Sequence, residues 1–201
     1  MAGEGEVLPL LAVSHTERHC CLARGWRTYH GLLLEHPLLT KSVTASLMAA
    51  TGEFVGSYLK KSGPGTPRER ARRLGAFAVF GLVVNGPAFH FWYAFLEQLA
   101  QRWSKLTGGH HIILFKVIVD RLLMTPPYLV LTLVGLRWLQ DFKLLLALQA
   151  CALVYKSALL LNWKLWTVAQ VINFNFVPLE YRVLFGNLVA AVWCAILSLL
   201  G

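Results

Sequence analysis

The sequence predicts an all-α integral membrane protein, a helix bundle of about four spans plus an interfacial or partial helix. Three observations predict it. Hydrophobic residues make up 56% of the 201-residue chain and charged residues only 14%, where soluble domains carry about 25% charged residues. No charged side chain occurs from Leu74 to Leu96, a run longer than the roughly 20 helical residues that cross a bilayer. None occurs from Val183 to Gly201 either. A mean hydropathy of +0.54 agrees.

Taken in order, residues 1–28 read as an N-terminal tail and 29–201 as one membrane helix-bundle domain. The first span is expected from Pro37 to Leu59, because proline suits the first position of a helix. Ser62-Gly-Pro-Gly-Thr-Pro67 is dense in helix breakers and reads as a turn. The second span covers about Leu74 to Leu99 and is interrupted at Asn85-Gly86-Pro87. Gly108-Gly109 marks the next break. The third span runs from Ile112 to Trp138 through Pro126-Pro127. Leu144 to Leu161 reads as an interfacial helix with Lys156 at its edge. Leu165 to Leu179 reads as a partial span that continues through Pro178, kinked, into the last span, Val183 to Leu200. Five or six crossings stay open on the same pattern.

Net charge is +9, but the bases sit in joints between apolar runs, with no basic aromatic surface. Anionic lipid headgroups explain them better than nucleic acid does. Cys20, Cys21, Cys151 and Cys194 fit no zinc or redox spacing, and Cys194 reads as a small hydrophobe in a helix. The N-terminal segment carries Glu4 and Glu6 rather than a basic region, so no secretory signal is expected. The terminal Ser-Leu-Leu-Gly is not a matrix-import tripeptide. His110-His111 lacks a third ligand at metal spacing, Ser and Cys lack His and acid partners, and no glycine-rich phosphate loop appears. No enzyme activity, cofactor or metal is expected.

The polar groups inside the apolar runs are the candidate functional residues. An unpaired amide or charge in hydrocarbon is expensive, so such groups must face protein or water. They are Lys41, Thr44, Glu53, Asn85, His90, Asp120, Arg121, Gln170, Asn173, Asn175, Arg182 and Asn187. Each reads as bundle glue or as the lining of a pore. Lys116 and Asp120 are placed to pair at i,i+4. Glu53 stands twelve positions past Lys41, about 18 Å along a helix, so the two cannot share an interface. It is expected to face the bundle interior with Arg121 or His90. Gly52 and Gly56 form a small-residue contact motif. Gly186, Ala190, Cys194 and Ser198 repeat every four residues on one helix face, which serves packing within the chain or a homo-oligomer.

One stretch carries a resemblance: Asn162-Trp163-Lys164, Trp166, Gln170, Ile172-Asn173-Phe174, Phe176-Val177-Pro178, Arg182, Asn187 and Trp193. In that order they resemble the C-terminal signature of the small four-span membrane proteins of peroxisomes and the mitochondrial inner membrane. Gly86-Pro87, His90, Trp92-Tyr93 and Leu96-Glu97 look like that family's second-span pattern. Lys116, Asp120-Arg121 and Pro126 look like its third. Trp166-Thr167 and Val183-Leu-Phe-Gly-Asn187 favour a peroxisomal member over a mitochondrial one. Two departures are visible: Leu144 to Leu161 is more apolar than is usual there, and Val168 stands where proline commonly follows the threonine. The resemblance implies passive passage of small hydrophilic solutes across the peroxisomal membrane, by a pore without an ATP motif. It also implies cytosolic termini and post-translational insertion by the import receptor for peroxisomal membrane proteins. Lys60, Lys61, Arg68, Arg70, Arg72 and Arg73 are then the candidate targeting signal. A structural or adaptor role, and a multi-span enzyme using His90 with Asp120, are the rival readings.

Overall fold

A computed structural model describes residues 24–59, 66–108 and 111–200, with side chains described as far as residue 193. Lys60, Lys61, Gly109, His110, Cys20, Cys21 and the side chains of Cys194 and Ser198 lie outside the described residues, as does most of the expected tail. The chain divides into two compact units, Met1–Thr40 and Lys41–Gly201.

In the first unit, residues 24–35 form helix α1. It ends at a bend on His36, because Pro37 disfavours helical backbone in the residue before it. Pro37 opens α2, Pro37–Leu59, as predicted. The Thr40 hydroxyl donates to the carbonyls of Leu32 and His36 at 2.8 and 2.9 Å, stitching the bend.

The second unit is a series of antiparallel helical rods. The rest of α2 leads to α3, Pro67–Phe80, which starts seven residues before the expected second span. Pro67 opens that helix instead of closing the turn. Thr66 accepts from the Glu69 amide while the Glu69 carboxylate accepts from the Thr66 amide, a capping box that satisfies two orphan donors. A π-helical turn, Gly81–Asn85, joins α3 to α4, Gly86–Thr107. The third rod repeats the device: α5, Ile112–Val119, a π turn at Asp120–Met124, and α6, Thr125–Asp141. Both π turns precede prolines, Pro87 and Pro126-Pro127. Proline cannot donate to the carbonyl four residues back and crowds it, so the ladder widens there. The interruption expected at Asn85-Gly86-Pro87 is therefore a bulge within a continuous rod. Gly108 closes α4 in the left-handed conformation, φ 68°.

Helix α7, Leu144–Phe176, is one continuous helix of 33 residues. This corrects the division into an interfacial helix and a kinked partial span. The run contains neither glycine nor proline, so nothing ends it before Pro178. There the chain does not continue as helix: Val177 turns extended, φ −99° and ψ 121°, as the residue before proline must. A 3₁₀ turn, Leu179–Tyr181, leads into α8, Arg182–Leu200. Among the described residues three rods are long and apolar enough to cross a membrane: Pro67–Thr107, Ile112–Asp141 and Leu144–Phe176. Most of their apolar side chains face outward, as befits a solvent of hydrocarbon. The all-α membrane bundle is thus what the chain forms.

Rod packing centres on Tyr93, Leu96, Val117, Phe174 and Val183, drawn from α4, α5, α7 and α8. The rod of α2 lies against α3 and α4 at small residues. A Cβ on Gly81 would stand 2.7 Å from the Ala45 carbonyl, and one on Gly86 would fall on Ser42. The Ser46 hydroxyl donates to the Ala78 carbonyl at 2.8 Å across the same contact.

Candidate functional site

The π turn at Asp120 places a carboxylate with no exposure at all in the middle of the bundle. An isolated ion there would cost several kcal/mol, and the fold surrounds it with donors. Trp92 Nε1 of α4 donates at 2.8 Å and Gln170 Nε2 of α7 at 3.0 Å. Arg121 donates from Nε at 3.0 Å and pairs with the same oxygen through Nη2. Arg121 Nη1 reaches Asn162 Oδ1 at 3.2 Å. The amides form a second layer. Gln170 Nε2 also reaches Tyr93 Oη at 3.2 Å, and Asn173 Nδ2 donates to Gln170 Oε1 at 2.9 Å. Three rods are locked by one carboxylate.

A second cluster forms around Glu97 of α4. Its Oε2 takes Lys116 Nζ at 2.8 Å and Arg182 Nη1 at 2.7 Å. Arg182 also donates to the Val177 carbonyl at 3.2 Å, securing the break before α8, and stacks 5.4 Å from the Phe174 ring centre. Toward the other side of the bundle, Tyr128 donates to Asn85 Oδ1 at 2.6 Å.

These contacts sort the candidates. Asp120, Arg121, Gln170 and Asn173 converge as one network; Arg182 joins the Glu97 cluster and Asn85 meets Tyr128. The expected Lys116–Asp120 pair does not form: Lys116 reaches across to Glu97 on the facing rod, and Asp120 is taken by its neighbour Arg121. Glu53 is buried, as expected, but its partner is neither Arg121 nor His90. It pairs with Arg73 at 2.8 Å and accepts from Ser57 at 2.8 Å, because α2 and α3 run antiparallel, with Ser46 against Ala78 at the next contact. Asn175 is not interior. It is exposed and donates to the Val171 carbonyl of its own helix at 2.8 Å, since two residues past Asn173 the helix has turned away. Lys41 is buried, within electrostatic reach of His90 and Glu180. Thr44 is half-buried. His90 is half-buried with its Nδ1 unpartnered among the described residues, and it is not among the groups on Asp120. Asn187 is buried with an unpartnered Nδ2. Gly52 and Gly56 are buried on α2. Gly186 lies beside Tyr93 Oη, and Ala190 is half-buried on the same helix.

Sequence reading missed two features. One is the close helix approach at Gly81 and Gly86, whose signal was a Gly-x-x-x-x-Gly spacing next to proline. The other feature is the outward face of α7. Lys156 and Lys164 are both exposed there, each 12 residues from the nearer end of the helix. The hydrocarbon core takes about 20 residues, so no crossing register of α7 leaves both lysines outside it. In every untilted register one of them lies roughly 9 Å or more from the nearer edge. The basic cluster also divides. Arg68, Arg70 and Arg72 are all exposed on α3; Arg72 pairs with Asp141 at 3.1 Å and Arg73 with Glu53.

Comparison with known proteins agrees with this architecture. The model of the Mpv17 / PMP22 family matches residues 147–198, from α7 into α8. Peroxisomal membrane protein 2 of Bos taurus is 30% identical over 181 residues, 89% of this chain and 90% of that protein. Protein SYM1 of Gibberella zeae is 31% identical over 172 residues, 86% of this chain and 94% of its own length. The mitochondrial inner membrane protein Mpv17 of Danio rerio is 29% identical over 174 residues, 86% of this chain and 94% of that protein. No solved structure matches.

Proposed function

Since the chain belongs to the Mpv17 / PMP22 family, we propose that it acts as a passive path for small hydrophilic solutes across the peroxisomal membrane, and not as an enzyme. One observation carries this reading: Lys156 and Lys164 on the outward face of a membrane-length helix. A lysine at the bilayer centre costs about 2.5–3.5 kcal/mol on insertion scales. Snorkelling offsets part of that, and water along the helix removes it. A membrane protein that keeps water at depth has the physical means to pass small polar solutes. The peroxisomal assignment rests on the similarity to peroxisomal membrane protein 2 and on Trp166-Thr167; the mitochondrial inner membrane is the alternative.

The test is reconstitution. Purified full-length chain in liposomes should release urea and acetate but retain an oligosaccharide, and in planar bilayers it should give discrete current steps. Absence of both under all voltages would remove the reading. The closed pairing of the Asp120 network favours one rival, a structural bundle without transport. That rival predicts no flux, together with altered membrane-protein composition of the organelle when the chain is deleted.

Targeting is read from the basic cluster. The import receptor would read Lys60, Lys61, Arg68, Arg70, Arg72 and Arg73, of which Arg72 stays exposed while it pairs with Asp141. Neutralising those six should move a fluorescently tagged chain off peroxisomes. Unchanged peroxisomal fluorescence would dismiss the cluster as a signal.

A further inference from the structure

Helices α6 and α7 form a hairpin, and an apolar furrow of about 320 Å³ runs between them. Pro127, Leu131, Val134 and Trp138 line it from α6, and Leu144 and Leu148 from the start of α7. It opens to the outside of the bundle, where Leu131, Trp138, Leu144 and Leu148 are all exposed. Pro127 to Trp138 covers about 16 Å of helix, close to half of the roughly 30 Å hydrocarbon core. The furrow therefore has the length of one leaflet. Volume over length gives a mean cross-section of about 20 Å², which admits one hydrocarbon chain. A helix, about 10–12 Å across with its side chains, cannot enter it.

One end of the furrow is charged. At the α6–α7 turn Asp141 accepts from Arg72 of α3 at 3.1 Å and pairs with Arg137 at 3.0 Å. Lys143, just before α7, is exposed and joins no ion pair among the described residues. Three bases thus meet one acid. Glu69, the next acid on α3, is occupied by its own helix cap. Trp138 stands at the same end with Phe142 edge-on to it at 5.8 Å, and tryptophan settles at the level of lipid headgroups. Toward the other end, Leu122 to Leu136 holds no charge.

We propose that this furrow binds one anionic phospholipid from the leaflet at the α6–α7 turn. One acyl chain lies in the furrow from Trp138 to Pro127, and the phosphate sits among Arg72, Arg137 and Lys143. Basic pockets between spans take anionic headgroups in this way. The headgroup ties α3 to the α6–α7 hairpin, a joint in which Asp141 otherwise holds both arginines alone. A zwitterionic lipid offers the same chain but brings an ammonium group to a site that is already positive. The site stands whether or not the chain passes solutes.

The test uses the full-length chain, purified in detergent and stripped of lipid. It is titrated with phosphatidylglycerol or phosphatidylcholine of identical acyl chains, and bound lipid is counted by native mass spectrometry. Phosphatidylglycerol is expected to bind about tenfold more tightly than phosphatidylcholine. Arg137→Gln with Lys143→Gln should remove most of that preference and leave phosphatidylcholine binding unchanged. Leu131→Trp fills the furrow and should weaken both lipids about tenfold. Leu148→Trp fills it from the opposite wall and keeps the test valid should Leu131→Trp fold poorly. Glycerol 3-phosphate, a headgroup without a chain, should not displace the lipid. Equal affinity for the two lipids would overturn the proposal, as would a preference that survives loss of both bases. Unchanged binding in both tryptophan variants would overturn it too. Displacement by glycerol 3-phosphate would reduce the site to one for free phosphate and sink the seated chain. If the lipid-free chain is a dimer that either tryptophan variant splits, a second copy is the occupant and the proposal falls.

Discussion

Replacing Asp120 with alanine is expected to cost about 3–5 kcal/mol of stability, the range for breaking a buried ion pair by removing one partner. The carboxylate has no exposure and takes hydrogen bonds from Trp92, Arg121 and Gln170 on three different rods. Its loss leaves a guanidinium without its counter-ion, the Trp92 indole without its acceptor and Gln170 with Tyr93 Oη alone, in a bundle surrounded by lipid. Asn162 Oδ1 at 3.2 Å cannot neutralise Arg121. The double variant Asp120→Leu, Arg121→Leu should lose much less, because an apolar pair of similar volume leaves no uncompensated charge. Chemical unfolding in detergent micelles measures both. Losses that simply add across the two sites, or an Asp120→Ala loss below about 1 kcal/mol, would show that the network is not what holds the rods together.

The second large effect is expected at Gly86. A Cβ there would fall on the Cα as well as the side chain of Ser42, so backbone stands in the way and α2 must move. Gly86→Ala should cost about 1–3 kcal/mol, the usual range for overpacking, and Gly86→Val more. Trimming the neighbour cannot repair this: Ser42→Gly in the Gly86→Ala background should recover little, since the Ser42 Cα remains. Gly75→Ala, where a Cβ would meet nothing within 4 Å, serves as the matched control and should be neutral or slightly stabilising. Full recovery by Ser42→Gly, measured by thermal unfolding, would mean that the contact yields at the side chain.

Particular residues show how much of this was legible. Thr66-Pro67-Arg68-Glu69 spelled the start of α3, yet a proline after two glycines was read as part of the turn. The absence of glycine and proline from Leu144 to Phe176 spelled one long helix, while Lys156 was read as the edge of an interfacial helix. Asp120, Arg121, Gln170 and Asn173 were recognisable because polar groups in an apolar run need partners, and the fold supplied those partners to one another. Asn175 looked the same in the sequence and stands outside, since a helix turns 200° in two residues.

By itself the sequence determined the class of the protein, its helices and the positions where polar groups must be satisfied. Those follow from local quantities: run length, hydropathy, breakers and the cost of a polar group in hydrocarbon. Only the tertiary structure decided the pairing. Glu97 rather than Asp120 takes Lys116, and Arg73 rather than Arg121 takes Glu53. Those choices depend on which faces the antiparallel rods turn to each other, and that is set by contacts between residues as far apart in sequence as Glu97 and Arg182. The same packing leaves Lys156 and Lys164 on an outward face of α7, because Ala147, Cys151 and Ala169 on the opposite side are the small residues that let it close against α5 and α6.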